Sequence, residues 1–407
     1  MEERKDNYVY IHSDIIQNVL GSNYNKIINV LIEEQYIVVN PYYSKHLHIC
    51  KSYAIHPRLM DESKPLLTVI FKKSAVLHKK IKRIARTNLS KCVDDAIGIG
   101  RQHVIDMTAE LVLQPDREAL NYVDNCFSST SNPNTAEMYF HYWNTNPLKG
   151  CGVDAFGKRV HSVVTNMPKV LRRCLRFIDD PTMPVAELDI VNSQPFFLSV
   201  LSAVLVDTFV PECAAAVAIC RRYEANADYI WFRKLCGNGL IYEELSKQYE
   251  NRYGCSYGVA DNDAREVTKG LVYGVFFSDY SKAVNGLNRV SYTEHSKLKK
   301  NFFRLFMDIF PSVYSSFKEI KSLYWSFTVN RQGVHKQYAN NCLLAQRLES
   351  AIMFDCLLPA LLDRGINCVV TVHDCCIIRR ADVAAVKRVM LDTFQSLGLH
   401  PEIKVVS

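Results

Sequence analysis

Near its C-terminal end the chain reads Cys368-Val-Val-Thr-Val372-His373-Asp374-Cys375-Cys376-Ile-Ile378-Arg379, an apolar run interrupted once by a His-Asp pair. β-Branched residues on both sides favour extended chain, so the interruption reads as a tight hairpin. An aspartate in that place is heavily constrained, because an unpaired carboxylate among apolar side chains is costly to desolvate unless a cation or a donor meets it. A second carboxylate has a similar setting in Ala186-Glu187-Leu188-Asp189-Ile190-Val191-Asn192-Ser193-Gln194-Pro195-Phe196-Phe197-Leu198. Two aspartates brought together at strand ends would make a site for two divalent cations, the apparatus of phosphoryl transfer. Taken singly, each has a plain structural reading: Asp189 as a strand-end residue capping a turn, Asp374 as a turn residue of a type in which Asp is common.

The rest of the composition sets loose bounds. At 407 residues, 48% apolar and 22% charged, the chain has room for two or three domains with their own cores. Forty-nine Lys and Arg against 42 Asp and Glu leave a net charge of +7, which permits a nucleic-acid partner without requiring one. The 14 cysteines are scattered, with no Cys-x-x-Cys spacing and only Cys375-Cys376 adjacent, so they read as reduced thiols. The start, Met1-Glu-Glu-Arg-Lys-Asp-Asn, has no apolar core of signal-peptide length, and no run reaches the length of a membrane span. The expectation is a non-secreted protein of the cytoplasm or another reducing compartment, with no membrane partner.

Three regions follow from patterning. In residues 1–65, Tyr24, Ile27, Ile28, Leu31 and Ile32 recur at helical spacing after Gly21-Ser22-Asn23, Tyr36 to Val39 reads as a strand, and His48 to Tyr53 as a second beyond a polar turn. Helix, helix and hairpin is the order of a winged helix, although a small α+β subdomain that only packs on its neighbour has the same order. Residues 66–135 look helical from Phe71 to about Asn125. They hold the most basic stretch, Lys72-Lys73 and His78-Lys79-Lys80-Ile81-Lys82-Arg83-Ile84-Ala85-Arg86, and end in a linker, Ser128 to Thr135. Residues 136–407 alternate helical and strand patterns without an internal repeat.

Within that last region four segments stand in order. The first is Gly157-Lys158-Arg159-Val160-His161-Ser162, running through Thr165-Asn166-Met167-Pro168 to Leu171-Arg172-Arg173 and Arg176-Phe177. The second is the Asp189 segment with Asn192-Ser193-Gln194, the third Arg265-Glu-Val-Thr-Lys269-Gly-Leu-Val-Tyr273-Gly274 to Phe277, and the fourth Val372-His373-Asp374. The set resembles the right-handed polymerases of family A, which include phage and bacterial DNA polymerases and, more distantly, the single-subunit phage RNA polymerases. The first segment is similar to the Gly-Arg…Ser…Asn…Pro stretch of the DNA enzymes, and the others to motifs A, B and C. The resemblance spans about two thirds of the chain, from roughly Phe156 onward.

It implies an α+β chain: a right-hand polymerase with an antiparallel-sheet palm and helical fingers over 136–407, preceded by a basic, helical thumb-like region over 66–135 and a winged-helix-like domain over 1–65. Asp189 and Asp374 would carry two Mg²⁺ ions, with Mn²⁺ as a possible substitute, one activating a primer 3′-hydroxyl and the other stabilising the pyrophosphate leaving group. Arg265, Lys269 and Tyr273 recur every four residues and so share one helix face, where two cations can hold nucleotide phosphates while the ring packs on sugar and base. A solvated amphipathic helix with a tyrosine edge is the plain alternative. Arg159 matches the arginine that reaches the minor-groove side of the primer end. Asn166 belongs to the same stretch, Arg172 would meet phosphates, His373 would support the primer terminus, and Gln346 and Asn341 would touch template and primer. The partners implied are nucleoside triphosphates and nucleic acid, as primer-template or duplex DNA.

The match departs at two places. Cys375 stands where the DNA polymerases have glutamate and the single-subunit RNA polymerases serine. The DNA enzymes' Asp-Tyr-Ser-Gln-x-Glu, whose glutamate gates against a ribose 2′-hydroxyl, is absent: ungapped, Gln194 takes the gate position, and gapped, the glutamate becomes Phe196. Tyr273-Gly274 and Arg159…Asn166-x-Pro168 are DNA-like, while Phe277 replaces a tyrosine. The resemblance favours a DNA polymerase, with no proofreading exonuclease because no Asp-x-Glu pair early in the chain has strand context. A single-subunit DNA-directed RNA polymerase or primase-like enzyme is the alternative, and an untemplated terminal transferase a further one. From another class comes a non-catalytic winged-helix replication factor on a decayed scaffold, which would not need to retain Asp189, Asp374, Arg265 and Lys269 together. By analogy, the small size points to a virus, phage or mobile element.

Overall fold

The computed structural model describes residues 9–11, 13–40, 51–59, 98–126, 136, 139–140, 143–144, 151–254, 261–278, 294–328 and 336–406. The basic stretch from Lys72 to Arg86 and the linker from Ser128 to Thr135 lie outside them. The chain is mixed α+β with small antiparallel sheets, and it forms two compact units: residues 1–96, 108–152 and 162–184, and residues 97–107, 153–161 and 185–407. The first unit thus takes in residues 162–184, which the motif order assigns to the same region as the aspartates. Among the described residues no helix is long and apolar enough to cross a membrane.

In the first unit a three-stranded antiparallel sheet has the order β1-β3-β2, from β1 (Val9–Tyr10), β2 (Ile37–Asn40) and β3 (Ser52–Ile55). Helices α1 (Ser13–Leu20) and α2 (Tyr24–Glu33) come between β1 and β2. The helix start at Tyr24 and the Ile37 strand fall where the periodicity puts them, and β3 takes in Ser52 and Tyr53 of the expected His48–Tyr53 strand, whose residues 48–50 lie outside the described ones. Past α2, Gln35 turns left-handed (φ 56°), and Arg58 donates Nε to Gln35 O at 2.8 Å while its guanidinium also meets Glu34 O and lies 5.6 Å from the Tyr36 ring centroid. A cation at the carbonyl end of a helix satisfies otherwise unmet acceptors and complements the helix dipole. Further along, β4 (Leu111–Leu113) precedes α3 (Arg117–Cys126), whose first turn is capped by Asp116 Oδ1 accepting from Ala119 N at 2.8 Å. β4 pairs antiparallel with β5 (Leu175–Phe177), Leu111 opposite Phe177, so a strand interrupts the stretch that composition reads as helical.

The second unit is organised by a four-stranded antiparallel sheet of order β9-β6-β8-β7: β6 (Val185–Ile190), β7 (Val369–Val372), β8 (Cys375–Arg379) and β9 (Ile403–Val406). Alternation along β6 buries Ala186, Leu188 and Ile190 and leaves Glu187 and Asp189 half-buried on the opposite face. β7 is buried throughout and β8 up to Ile378, which explains their unbroken apolar character. Short helix α4 (Ser193–Ser199) follows β6 after the turn at Asn192. After further helices between Ala203 and Gly237 come α5 (Ile241–Tyr253), α6 (Asp261–Phe277) and, later in the chain, α7 (Asn340–Ala351). An aromatic cluster fixes the helices: the Phe232 ring meets Phe276, Phe306, Phe310 and Phe317 edge-on at 5.3 to 6.2 Å between centroids.

Helix α7 is buried on nearly all sides and continues through a π-helical turn, Ile352–Leu357, into Leu358–Leu362. Gly100 lies against that turn so closely that a Cβ would stand 2.0 Å from Phe354 O, a position only glycine can occupy without backbone movement. Arg101 fastens the same contact through Asp355 at 2.6 Å.

Candidate active site

The sheet register decides where the two aspartates go. Cys375 pairs with Asp189 across the β6–β8 ladder and with Val372 across the hairpin, so the two-residue turn His373-Asp374 closes beside the Asp189 end of β6. His373 holds φ at 58°, a conformation costly for a side-chain-bearing residue and one that recurs at functional turns. Ser193, the first residue of α4, hydrogen bonds to the Asp374 carboxylate. Burial, followed by the like charges of Glu349 and Asp189, pushes the Asp374 carboxyl well above its ordinary value. Glu187, two residues before Asp189 and on the same face, accepts from Cys375 Sγ at 3.8 Å. On the other flank Lys404, opposite Asp189 in the β9–β6 ladder, places Nζ 3.0 Å from Asp189 Oδ2.

Behind this pair lies a buried carboxylate that the motifs do not single out. Glu349 on α7 is 1% exposed and accepts from Arg159 at 2.6 Å and from Gln194 Nε2 at 3.1 Å, both on Oε2. Burial raises the Glu349 carboxyl, and Arg159 and Gln194 pull back only part of the shift. Arg159 Nε and Gln194 Oε1 are buried with no hydrogen-bond partner among the described residues, one donor and one acceptor left over in the same network.

Arg159 is delivered by a loop that Asp154 ties down. The Asp154 carboxylate accepts from the backbone N–H of Phe156 and Gly157 on Oδ1 and of Arg159 on Oδ2, and Oδ2 also meets His161 Nε2 at 3.2 Å. Arg347, stacked 4.3 Å over the Phe327 ring, donates to Ala155 O and Phe156 O from the α7 side. The His161 ring stands 5.4 Å, edge-on, from that of His373, which brings this loop to the hairpin turn. Burial pushes the Asp154 carboxyl up, but His161 and the Gly157 and Arg159 amides outweigh it and hold it below the ordinary 3.8. A lowered carboxyl contributes stability above its unfolded value and loses it as pH falls through the folded one. Protection of the Gly157 and Arg159 amides, taken relative to the intrinsic exchange rate at each pH, is therefore high at neutral pH and falls below pH 3.8 in the parent, whereas Asp154→Ala shows low protection at every pH. Equal protection in parent and variant at pH 7 would contradict this.

Helix α6 turns Leu271, Val272, Val275 and Phe276 inward and leaves Arg265, Lys269 and Tyr273 part-exposed on one face, the arrangement their spacing predicts. Arg265 donates to Glu243 Oε1 at 2.9 Å and to Asn192 Oδ1 at 2.8 Å, and lies 5.1 Å from the Tyr242 ring centroid. Asn192, left-handed at φ 52°, donates in turn to Gly239 O at 2.7 Å, so the end of β6 is tied to both α6 and the loop before α5. Burial raises the Tyr273 hydroxyl, a Tyr242 hydrogen bond opposes this, and the nearby Asp374 charge adds to it. Tyr273 and Asp374 thus lie close together, and Arg265 reaches the end of β6 through Asn192. Lys269 meets Glu266 at 3.5 Å and stays 38% exposed.

No protein-family model matches the chain, and no curated protein does. The site's chemistry therefore has to be read from its own atoms. Carboxylate oxygens are hard donors that suit Mg²⁺, which takes one or two carboxylates and completes its shell with water and substrate phosphates. The like-charge crowding at Asp374 is the condition a divalent cation relieves, so Asp189 and Asp374 fit such an ion. Among the described residues no three His, Cys, Asp or Glu side chains form a ready-made cage.

Other expected contacts are placed differently. Asn341 is fully buried and donates to Phe276 O at 3.2 Å, bracing α6 against α7, while its Oδ1 has no hydrogen-bond partner among the described residues. Gln346 is part-buried, with Nε2 3.1 Å from Cys342 Sγ and its amide pressed against Gly157. Asn166 and Arg172 belong to the first unit, where Arg172 donates to Met167 O at 3.0 Å. Arg173, beside them, is paired with Asp116 and Glu118. Glu349 and Glu187 escaped notice although the same signal marks them, a carboxylate inside an apolar pattern. Lys404 has no such mark, since only the register reveals its neighbour.

Proposed function

We propose that this chain is a template-directed nucleic-acid polymerase, a two-metal nucleotidyltransferase that favours DNA synthesis. The observation that carries the reading is the β6–β8 register, which sets Asp374 beside Asp189, with Tyr273 of the cation-bearing helix close enough to feel the Asp374 charge. The order of the four segments, the sheet and the helix face support a palm and fingers of the right-hand type over 136–407, with the earlier regions serving as thumb and winged helix.

Each residue then has a task that its surroundings permit. Two Mg²⁺ ions on Asp189 and Asp374 would supply Lewis acidity for attack of a primer 3′-hydroxyl on the α-phosphate and for departure of pyrophosphate. Arg265 and Lys269 offer charge-assisted hydrogen bonds to the outer phosphates, Arg265 by exchanging its exposed Glu243 contact. Tyr273 offers a ring on which sugar and base can pack. Gln194, its amide nitrogen held on Glu349, keeps its carbonyl oxygen for the sugar side of the nucleotide, and Arg159 keeps Nε for the primer end. His373 and His161 flank that end from the hairpin and the loop.

The test is extension of a labelled primer-template with dNTPs, then with NTPs, then without template, each with Mg²⁺ and with Mn²⁺. Template-dependent extension with dNTPs is expected. Extension only with NTPs moves the chain to the RNA-synthesising alternative, extension without template to terminal transfer, and no extension under either ion sinks the enzymatic reading.

A further inference from the structure

The contact that the proposed reaction leaves unexplained is Lys404. In an antiparallel ladder, directly opposite residues project from the same face, so the pairing of Lys404 with Asp189 is imposed by the backbone and is not the chance reach of a long side chain. Its ammonium stands 3.0 Å from Asp189 Oδ2. The opposite flank of Asp189 is filled by Cys375, a neutral thiol whose hydrogen bond goes to Glu187. Lys404 is therefore the ion-pair partner of this carboxylate, and it bonds the group that would ligate a cation. Its side chain is 52% exposed, against 28% for Asp189, so it can swing into water at little cost when a stronger cation arrives.

Resting on the reading of Asp189 as a metal ligand, we propose that Lys404 is a resident counter-ion that competes with the divalent cation and so sets the concentration at which the site fills. With the cation absent, it keeps the Asp189 charge compensated; with the cation bound, it releases Oδ2.

Binding of Mn²⁺ to the full-length, metal-stripped protein, read by electron paramagnetic resonance of free Mn²⁺ with neither nucleotide nor nucleic acid present, tests this. Lys404→Gln is expected to bind about two- to fivefold more tightly than the parent, the range set by a half-exposed ion pair. Lys404→Arg should bind like the parent, and the gap between parent and Lys404→Gln should shrink as salt is raised. Equal or weaker binding by Lys404→Gln, with thermal unfolding showing it folded, overturns the proposal while leaving Asp189 a ligand if Asp189→Asn still loses the ion. Binding unaffected by Asp189→Asn, or no binding by any of the proteins, overturns the metal role of Asp189 and the competition with it.

Discussion

Asp374→Asn is expected to give a protein that unfolds at a higher temperature than its parent and, if the proposed activity holds, incorporates no nucleotide. In the metal-free chain the Asp374 carboxylate is desolvated and faces the charges of Glu349 and Asp189, so three acids crowd one small volume. Asparagine keeps the shape and a hydrogen-bonding edge toward Ser193 but has no charge to desolvate beside Glu349 and Asp189, so the folded state is favoured. Under the proposed two-metal mechanism the same change also removes an anionic ligand, and the loss of electrostatic stabilisation at the reacting phosphate would amount to several kcal/mol, or about a thousandfold or more in rate. Thermal unfolding in the presence of a chelator and single-turnover primer extension read the two effects separately. A variant that melts lower than the parent would show that the crowding is not there, and one that still extends a primer would remove Asp374 from the reaction.

Glu349→Ala is expected to be the most damaging single substitution in the second unit. Arg159 is 9% exposed and Glu349 1%, so truncating the acid leaves a guanidinium buried without its carboxylate, at a cost of about 3–5 kcal/mol. Gln194 loses its anchor at the same time. Glu349→Gln, which keeps one acceptor oxygen, should lose clearly less. A double variant, Arg159→Met with Glu349→Leu, removes both charges and should recover most of the stability while leaving extension impaired, because the charged pair costs nearly as much to bury as it returns. Denaturant midpoints for the parent, Arg159→Met, Glu349→Leu and the double variant give the coupling directly. If Glu349→Ala alone matches the parent, the pair is not holding the site together.

What the sequence disclosed and what it hid follow from how each signal arises. Strand β6 and the β7–β8 hairpin were legible, because alternation and β-branched runs are local properties, and the shared face of Arg265, Lys269 and Tyr273 needed only a period of four. Register is non-local, so nothing in the run around Ile403 announced that Lys404 would lie opposite Asp189. The Asn341 contact was hidden for a related reason. An amide that satisfies a carbonyl on a neighbouring helix has the same letter as one that reaches outward, and the Phe276 oxygen it meets lies 65 residues away. Asp154 was missed because its partners are backbone amides, which every residue carries. The stretch from Asn166 to Arg176 ran continuously with Arg159 in sequence, yet the β4–β5 pairing draws it into the first unit.

Strand β6 has both of its neighbours in roughly the final tenth of the chain. During synthesis it therefore emerges with two open edges and an apolar face, and stays unpaired until β8 and β9, far downstream in sequence, have been made. Long-range pairing of this kind is slow and exposes strand edges to other chains. The cell would hold no half-built version of the carboxylate pair: Asp189 acquires Asp374 and Lys404 at almost the same moment, as the last strands arrive. A ribosome stalled before residue 369 leaves an aggregation-prone strand, and none of the proposed chemistry.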